Sequence, residues 1–584
     1  VAAPDTPPIA PTDDAVDGAT TPPVVMPWTS YLREAALILL LALSLNLIGN
    51  GQVSLWDRDE PRYAGCTREM RESGDYIYPT FNGEPRFHKP ILIYWLMTVG
   101  TAIGGDNPFG ARLVSAFMGA GSCLLVWWLG RRMFGRAQGR LAALMLATAP
   151  IFTYNSKLAT TDATLTFFLI LCLFALWELS QRASFRWAIT FWIAFALATL
   201  TKGPIGPVLL AFACGMSWFW GGPIAWFRRL HWGWGLPIYA LITAPWYIAI
   251  GILSHGDFFR VSMGYHVFRR MTTGIETHGG FPGYYPVLSM GVFYPWSALL
   301  PVAIVGAWSR RKINPAFGFL LGWLVGPMIF LEIVRTKLIH YYLPAYPAAA
   351  LLAAWLVMAL VQAEVNIRRW PLGRLAMALF TAIGISVTVA LLAGFLVAPA
   401  PIRWVCLAMA VVLGPGTLYA MDRLASGRSE RAAYGLVATW AVMLALLCGG
   451  LLPAIEPYRL TQQVARQLAA LSDREHATPI MAGYKPPGIV WELKRQVPEL
   501  AGRDELAALV VKEKAVVSAL SDLEIELLRK DPRIEVEPRG VVRGVDVEHA
   551  RPTTLELVVI RPAPADGSGP SAVARRAREQ LLIK

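Results

Sequence analysis

Charge is scarce in this chain. Of its 584 residues only 16% are Asp, Glu, Lys or Arg, against roughly 25% in soluble domains, whereas 55% are apolar. Mean hydropathy is +0.45. Such a composition excludes an ordinary water-soluble globule and points to a protein whose solvent is largely lipid. Cysteine is also sparse, and the six present form no pattern. Cys123, Cys172, Cys214, Cys406 and Cys448 fall in apolar runs and Cys66 stands alone in a polar stretch. That excludes a disulfide framework and a zinc-ligand spacing. Residues 1–29 are rich in Pro, Thr and Asp and lack a basic n-region, so they read as a disordered extension and not a signal peptide. The basic excess, 53 Lys and Arg against 40 Asp and Glu, is dispersed between apolar runs. Without a basic stripe, nucleic acid is excluded as a partner.

What the chain has instead is a series of uncharged runs long enough to cross roughly 30 Å of hydrocarbon as helices. They lie at 31–49, 110–130, 137–155, 162–181, 186–201, 204–221, 234–253, 286–307, 316–334, 342–362, 374–397, 402–421 and 433–454. Backbone groups in lipid must satisfy one another, which favours helices here. The expected fold is a polytopic α-helical membrane protein of about 13 transmembrane helices. A further apolar run at 91–104 is short and contains Gly100 and Gly104. Laid flat on the membrane surface as a juxtamembrane helix, it lets Arg131/Arg132, Arg228/Arg229, Arg310/Arg311 and the other basic loops fall inside.

That sidedness divides the chain into a membrane domain, 30–454, and a polar segment, 455–584, on the outer side. Within the membrane domain, 50–109 is a first outer loop with juxtamembrane helices and 254–285 a second long outer loop. In the polar segment, β-rich pieces at 479–484, 515–520 and 555–561 alternate with helical stretches at 460–471 and 504–514. This pattern predicts a small α/β domain.

The outer segments carry charge that the positive-inside tendency does not require. Asp59-Glu60 follows the first span closely. Adjacent carboxylates there serve either as base, metal ligand or sugar-orienting group, or as acids at the first turn of a helix opened by Pro61. Arg62 is placed to grip phosphate oxygens by paired hydrogen bonds. In His88-Lys89-Pro90, the lysine either snorkels to headgroups or is held against a lipid phosphate. Glu84, His88 and His266 are the candidates for a divalent metal, although no paired ligand spacing supports one. Asp162 is either an N-terminal cap or a site acid facing an outer cavity. Arg269, Arg270, Lys337, Tyr341 and Tyr342 add cations and phenols on the same face. Positive charge gathered there argues for an anionic, phosphate-bearing substrate.

Taken in order, Asp59-Glu60-Pro61-Arg62-Tyr63-Ala64, Arg68-Glu69-Met70, Ser73-Gly74-Asp75, Phe87-His88-Lys89-Pro90, Tyr94-Trp95 and Lys337 to Pro344 resemble the lipid A 4-amino-4-deoxy-L-arabinose transferase family. That family lies within the C-type, polyprenyl-phosphate-dependent membrane glycosyltransferases. The resemblance covers residues 32 to 350. It implies an inverting transfer of the aminosugar from undecaprenyl phosphate to a lipid A phosphate, with resistance to polymyxin and other cationic peptides as the consequence. It also implies a multi-pass protein of the bacterial inner membrane, surrounded by membrane lipids, whose active site and polar C-terminal domain face the periplasm.

Residue by residue, the resemblance assigns catalysis to Asp59, Glu60 and Asp162, and lipid-phosphate binding to Lys89 and Arg62. It carries over Arg269, Arg270, Lys337, Tyr341 and Tyr342 as further phosphate contacts. One departure is that His88 stands where the family commonly has Glu. No cofactor is implied with certainty, and a divalent metal stays open. Two other readings fit the residues: a related mannosyltransferase-like enzyme acting on protein or another glycan, and a flippase for lipid-linked sugars. The second predicts an internal repeat with broken helices at midplane, and the chain shows no such repeat.

Overall fold

The structure, a computed structural model, describes residues 28–262, 264, 280–365, 370–500, 502–547, 549 and 551–563. Arg269, Arg270 and His266 lie outside the described residues. Helix α1 (Trp28–Leu47) leads into the first loop, which contains α2 (Asp59–Ser73), a hairpin of β1 (Thr80–Phe81) and β2 (Glu84–Pro85), and α3 (Leu92–Gly104). There follow α4 (Pro108–Phe134), α5 (Arg136–Ala147), α6 (Pro150–Ser156), α7 (Asp162–Gln181), α8 (Phe185–Lys202) and α9 (Ile205–Phe219). The bundle continues through Trp232–Leu253, Pro315–Ile333, Ile339–Val361, Pro371–Val397, Ala400–Ala425 and Ser429–Tyr458.

All thirteen expected spans fall on helical segments, but only nine helices among the described residues are long and apolar enough to cross a membrane. The other four differ for local reasons. The run 137–155 breaks between α5 and α6, where Pro150 opens a new helix. The run 286–307 is divided into Tyr284–Val292 and Leu300–Arg310 around Pro295. Helix α9 has 15 residues, and the 18 residues of α8 include charges near both ends, Arg186 and Lys202.

Helix α3, with 13 residues, spans about 20 Å at 1.5 Å per residue and is too short to cross. It lies against α4 at a close approach that only glycine permits. A Cβ on Gly104 would sit 2.7 Å from the Cα of Gly110, and one on Gly100 would sit 2.7 Å from the Gly110 carbonyl oxygen. The first loop is thereby pinned to the bundle.

The polar segment forms a four-stranded sheet of order β3-β4-β6-β5, where β3 is Thr478–Pro479, β4 Val516–Leu520, β5 Ile534–Asp546 and β6 Arg551–Pro562. Strands β3 and β4 pair in parallel, and β4–β6 and β5–β6 are antiparallel. Alternating side chains leave opposite faces of the sheet. Val517, Leu557 and Val559 pack with α10 (Leu460–Glu475), whereas Val516, Val558 and Ile560 pack with the helix Arg503–Glu513. The expected strand at 479–484 is reduced to two residues, and β5 is an additional long strand. Glu535, Glu537, Pro538, Gly540 and Gly544 disguise it in the sequence, and the register shifts between Pro538 and Gly540.

Candidate active site

The first loop brings Asp59 and Glu60 to the first turn of α2, where the helix dipole favours acids. Adjacent residues on a helix point about 100° apart, and here that rotation separates their roles. Asp59 is exposed. Glu60 is 1% exposed and enclosed. Its Oε1 accepts hydrogen bonds from Arg112 Nε (2.9 Å) and the Ala159 amide (2.6 Å). Its Oε2 accepts from an Arg112 amino group (2.7 Å) and the Trp56 amide (2.8 Å). Arg112, 2% exposed, spends its remaining donors on the carbonyls of Asn50, Val53 and Ser54. Glu60 therefore ties the loop to α4 and to the turn before α7, with all its acceptor capacity occupied.

Asp162 opens α7, and its side chain does not serve as the helix cap; Thr161 holds that position without a side-chain capping bond. Instead Asp162 Oδ1 accepts from Lys202 Nζ at 2.5 Å. Lys202 also lies 5.1 Å from the centre of the Tyr341 ring. Both side chains line a cavity of about 190 Å³ with His88, Lys89, Tyr341 and a largely apolar wall that includes Leu165, Ile205, Val208, Leu209, Phe330 and Leu331. His340 interacts electrostatically with Asp162, Lys202, Asp59 and Lys89, so the charged groups of the first loop, α7 and α8 share one neighbourhood.

The other expected site residues are distributed differently. Arg62 is half-buried on α2 and acts electrostatically on Cys66. Burial pushes that Cys66 thiol up to about 12, which keeps it protonated and unreactive. Tyr342 is buried and donates to the Leu324 carbonyl (2.7 Å), a packing role away from the cavity. Lys337 is paired with Glu332 and donates to the Phe281 carbonyl, on the wall of a separate crevice with Arg335. Glu84 is exposed on the β1–β2 hairpin, and His88 is at the cavity wall. Among the described residues no three His, Cys, Asp or Glu side chains gather as a metal site.

Lys202 and His340 are functional candidates that reading the sequence missed. The signal was present for Lys202: a lysine in Thr201-Lys202-Gly203-Pro204, at the short turn between two apolar runs. A two-residue turn attracts less attention than a long polar loop.

Comparison with known proteins gives the following likenesses. A family described as dolichyl-phosphate-mannose-protein mannosyltransferase matches residues 88–248. The undecaprenyl phosphate-alpha-4-amino-4-deoxy-L-arabinose arabinosyl transferase of Pectobacterium carotovorum is 29% identical over 488 residues, covering 80% of this chain and 84% of the relative. Arabinosyl transferase 1 of Pseudomonas fluorescens, with the same substrate in its name, is 33% identical over 334 residues, 55% of this chain and 59% of the relative. The crystal structure of ArnT from Cupriavidus metallidurans bound to undecaprenyl phosphate superposes with a TM-score of 0.70 at 21% identity, covering 93% of this chain and all of that one. The chain is similar to undecaprenyl phosphate-aminoarabinose arabinosyl transferases in sequence and shares the fold of ArnT. In matches such as that to the Pseudomonas fluorescens protein, the chain spans about three fifths of the relative's length, 59%. The structural neighbour extends the fold likeness over nearly the whole of this chain.

Proposed function

We propose that the protein transfers 4-amino-4-deoxy-L-arabinose from undecaprenyl phosphate to a phosphate of lipid A at the periplasmic face of the bacterial inner membrane. The observation that carries this reading is the cavity itself. Lys89 and Lys202 meet Asp162 on a wall otherwise made of Leu, Ile, Val and Phe, which suits a phosphate attached to an isoprenoid chain. The acceptor phosphate oxygen attacks the anomeric carbon, and the bond from that carbon to the undecaprenyl phosphate oxygen breaks with inversion. Charge grows on the leaving phosphate, where Lys89 and Lys202 stabilise it. A lipid A phosphate is already ionised and needs no strong base, so Asp59 and Asp162 act on the sugar, through its amine or its oxocarbenium-like carbon. The added amine offsets negative charge on lipid A and thereby weakens binding of cationic peptides.

Purified protein given undecaprenyl-phosphate aminoarabinose and lipid A tests this directly. The expected product is lipid A heavier by one aminosugar, read by mass spectrometry. The description of the matching family favours one second reading, transfer to protein. Sugar found on a protein or glycan acceptor, with lipid A unmodified, supports that reading and refutes the first. Donor crossing a reconstituted bilayer without any product supports a flippase.

A further inference from the structure

The α/β unit after the last membrane helix grips the strip of first loop that delivers Asp59. Arg459, 2% exposed, donates to the Ser54 carbonyl (3.0 Å) and the Leu55 carbonyl (2.8 Å). Its guanidinium lies 4.4 Å from the centre of the Trp56 ring. Glu456 orients it by accepting a hydrogen bond (2.9 Å) and receives the Ser54 amide on its other oxygen (3.0 Å). One residue beyond Trp56, Asp57 Oδ1 accepts from the Gly488 amide at 2.8 Å. Four consecutive residues, Ser54 to Asp57, are thus held by groups of the C-terminal unit. The Ser54 carbonyl also accepts from Arg112 (3.1 Å), so one oxygen joins an arginine of α4 to an arginine of that unit.

We infer that Arg459 is a positioning residue for the transfer reaction, acting through the placement of Asp59, and that the C-terminal unit is therefore a working part of the active site. This inference rests on the activity proposed above. Arginine suits the task because its flat fork reaches two successive carbonyls while its face stacks on an indole. Asp59 itself is exposed and lies at the first turn of a helix, so its aim depends on how the preceding strip is fixed. Lys89 and Lys202 hang from other elements and do not depend on this grip.

The experiment uses the full-length protein in lipid nanodiscs with the variants Arg459→Ala, Arg459→Lys and Gly488→Ala, and Arg533→Ala as a control elsewhere in the same unit. A Cβ on Gly488 would stand 2.6 Å from Asp57 Oδ1 and 2.8 Å from Thr461 Cγ2, so that carboxylate and the Thr461 side chain must shift, and Arg459 is not among its nearest atoms. Misplacement of a reacting group by about 1 Å costs up to ~100-fold in rate. Arg459→Ala is expected to lower kcat roughly 10- to 100-fold with little change in donor KM, Gly488→Ala to act in the same direction, Arg459→Lys to restore part of the rate, and Arg533→Ala to leave it unchanged. In an Asp59→Asn background the Arg459→Ala change is expected to have no further effect on kcat, which a general loss of stability does not reproduce. Hydrogen exchange in a peptide spanning 54–60 is read on the same samples and is expected to quicken in Arg459→Ala whatever the substrate. An unchanged kcat, or effects of Arg459→Ala and Asp59→Asn that simply multiply, overturns the inference. If wild-type protein makes no aminosugar product, the proposed function fails first; unaltered exchange in Arg459→Ala then overturns the grip independently.

Discussion

Two acid–base pairs stand at the first-loop end of the bundle, and their surroundings make them different objects. Glu60 and Arg112 are closed in by backbone, with each Glu60 oxygen and every Arg112 nitrogen donating or accepting within the protein. Asp162 and Lys202 also touch, yet both line a cavity beside Lys89 and Tyr341. A pair whose hydrogen bonds are all consumed internally holds structure. A pair with one side open to a cavity can exchange partners with a substrate. Two buried carboxylates thus differ in surroundings: Glu60 is enclosed by internal partners, whereas Asp162 faces a cavity.

Breaking the first pair tests this difference most severely. Arg112→Ala leaves Glu60 charged in a buried site and removes donors from three carbonyls, a loss of about 3–5 kcal/mol. The expected outcome is a large drop in Tm in detergent, or failure to recover monodisperse protein. Lys202→Ala should behave in the opposite way. His340 and Lys89 still face Asp162, so the fold is kept, and kcat falls by roughly 100- to 1,000-fold through loss of charge at the leaving phosphate. A Tm loss as large as that of Arg112→Ala, without a specific loss of turnover, would show the two pairs to be equivalent after all. Asp59→Asn, beside Glu60 in sequence but exposed, is expected to leave Tm within a degree or two of wild type and lower turnover about 10-fold or more. Near-normal turnover in the lipid-to-lipid assay removes Asp59 from the chemistry.

The smallest effect concerns the docking of the C-terminal unit. Glu492, whose carboxyl meets the Ser54 side chain, has a pKa raised above its ordinary value of 4.5, first by burial and then by the neighbouring Glu456 charge. The folded protein then binds this proton more tightly than the unfolded chain does. Stability is accordingly greatest below the ordinary value and declines as pH rises through the window just above 4.5. Glu492→Gln should abolish that part of the decline and raise Tm at neutral pH by about 1–2 °C, measured by thermal unfolding across a pH series.

Much of the membrane architecture was readable because its physical signal is local. Uncharged runs, basic loops and the prolines that divide them all lie within short windows, and each expected span fell on helical segments. Of the four runs where the count departed, 137–155 and 286–307 carry visible prolines, but the power of these to split a run depends on packing. The small α/β unit was legible from alternating polarity except for β5, whose charged and glycine-rich face imitates a loop. Of the expected site residues, Lys89, Asp162 and Tyr341 line the cavity, and they were conspicuous in the sequence as charges or phenols beside apolar runs. Tyr342 and Lys337 bear the same chemistry, yet the fold turns Tyr342 into packing and gives Lys337 to Glu332 in another crevice.

By itself the sequence determined that this is a many-helix membrane protein with charged loops, a short apolar helix at 91–104 and a polar α/β tail. Hydropathy and helix length decide those properties residue by residue. Only the tertiary structure decided that Glu60 is sealed while Asp59 is open, that Lys202 reaches Asp162 across 40 residues, and that Arg459 holds Ser54 across 405. The physical reason is common to all three. A charged side chain takes its role from the partners and solvent that surround it, and those are assembled from parts of the chain that no local pattern connects.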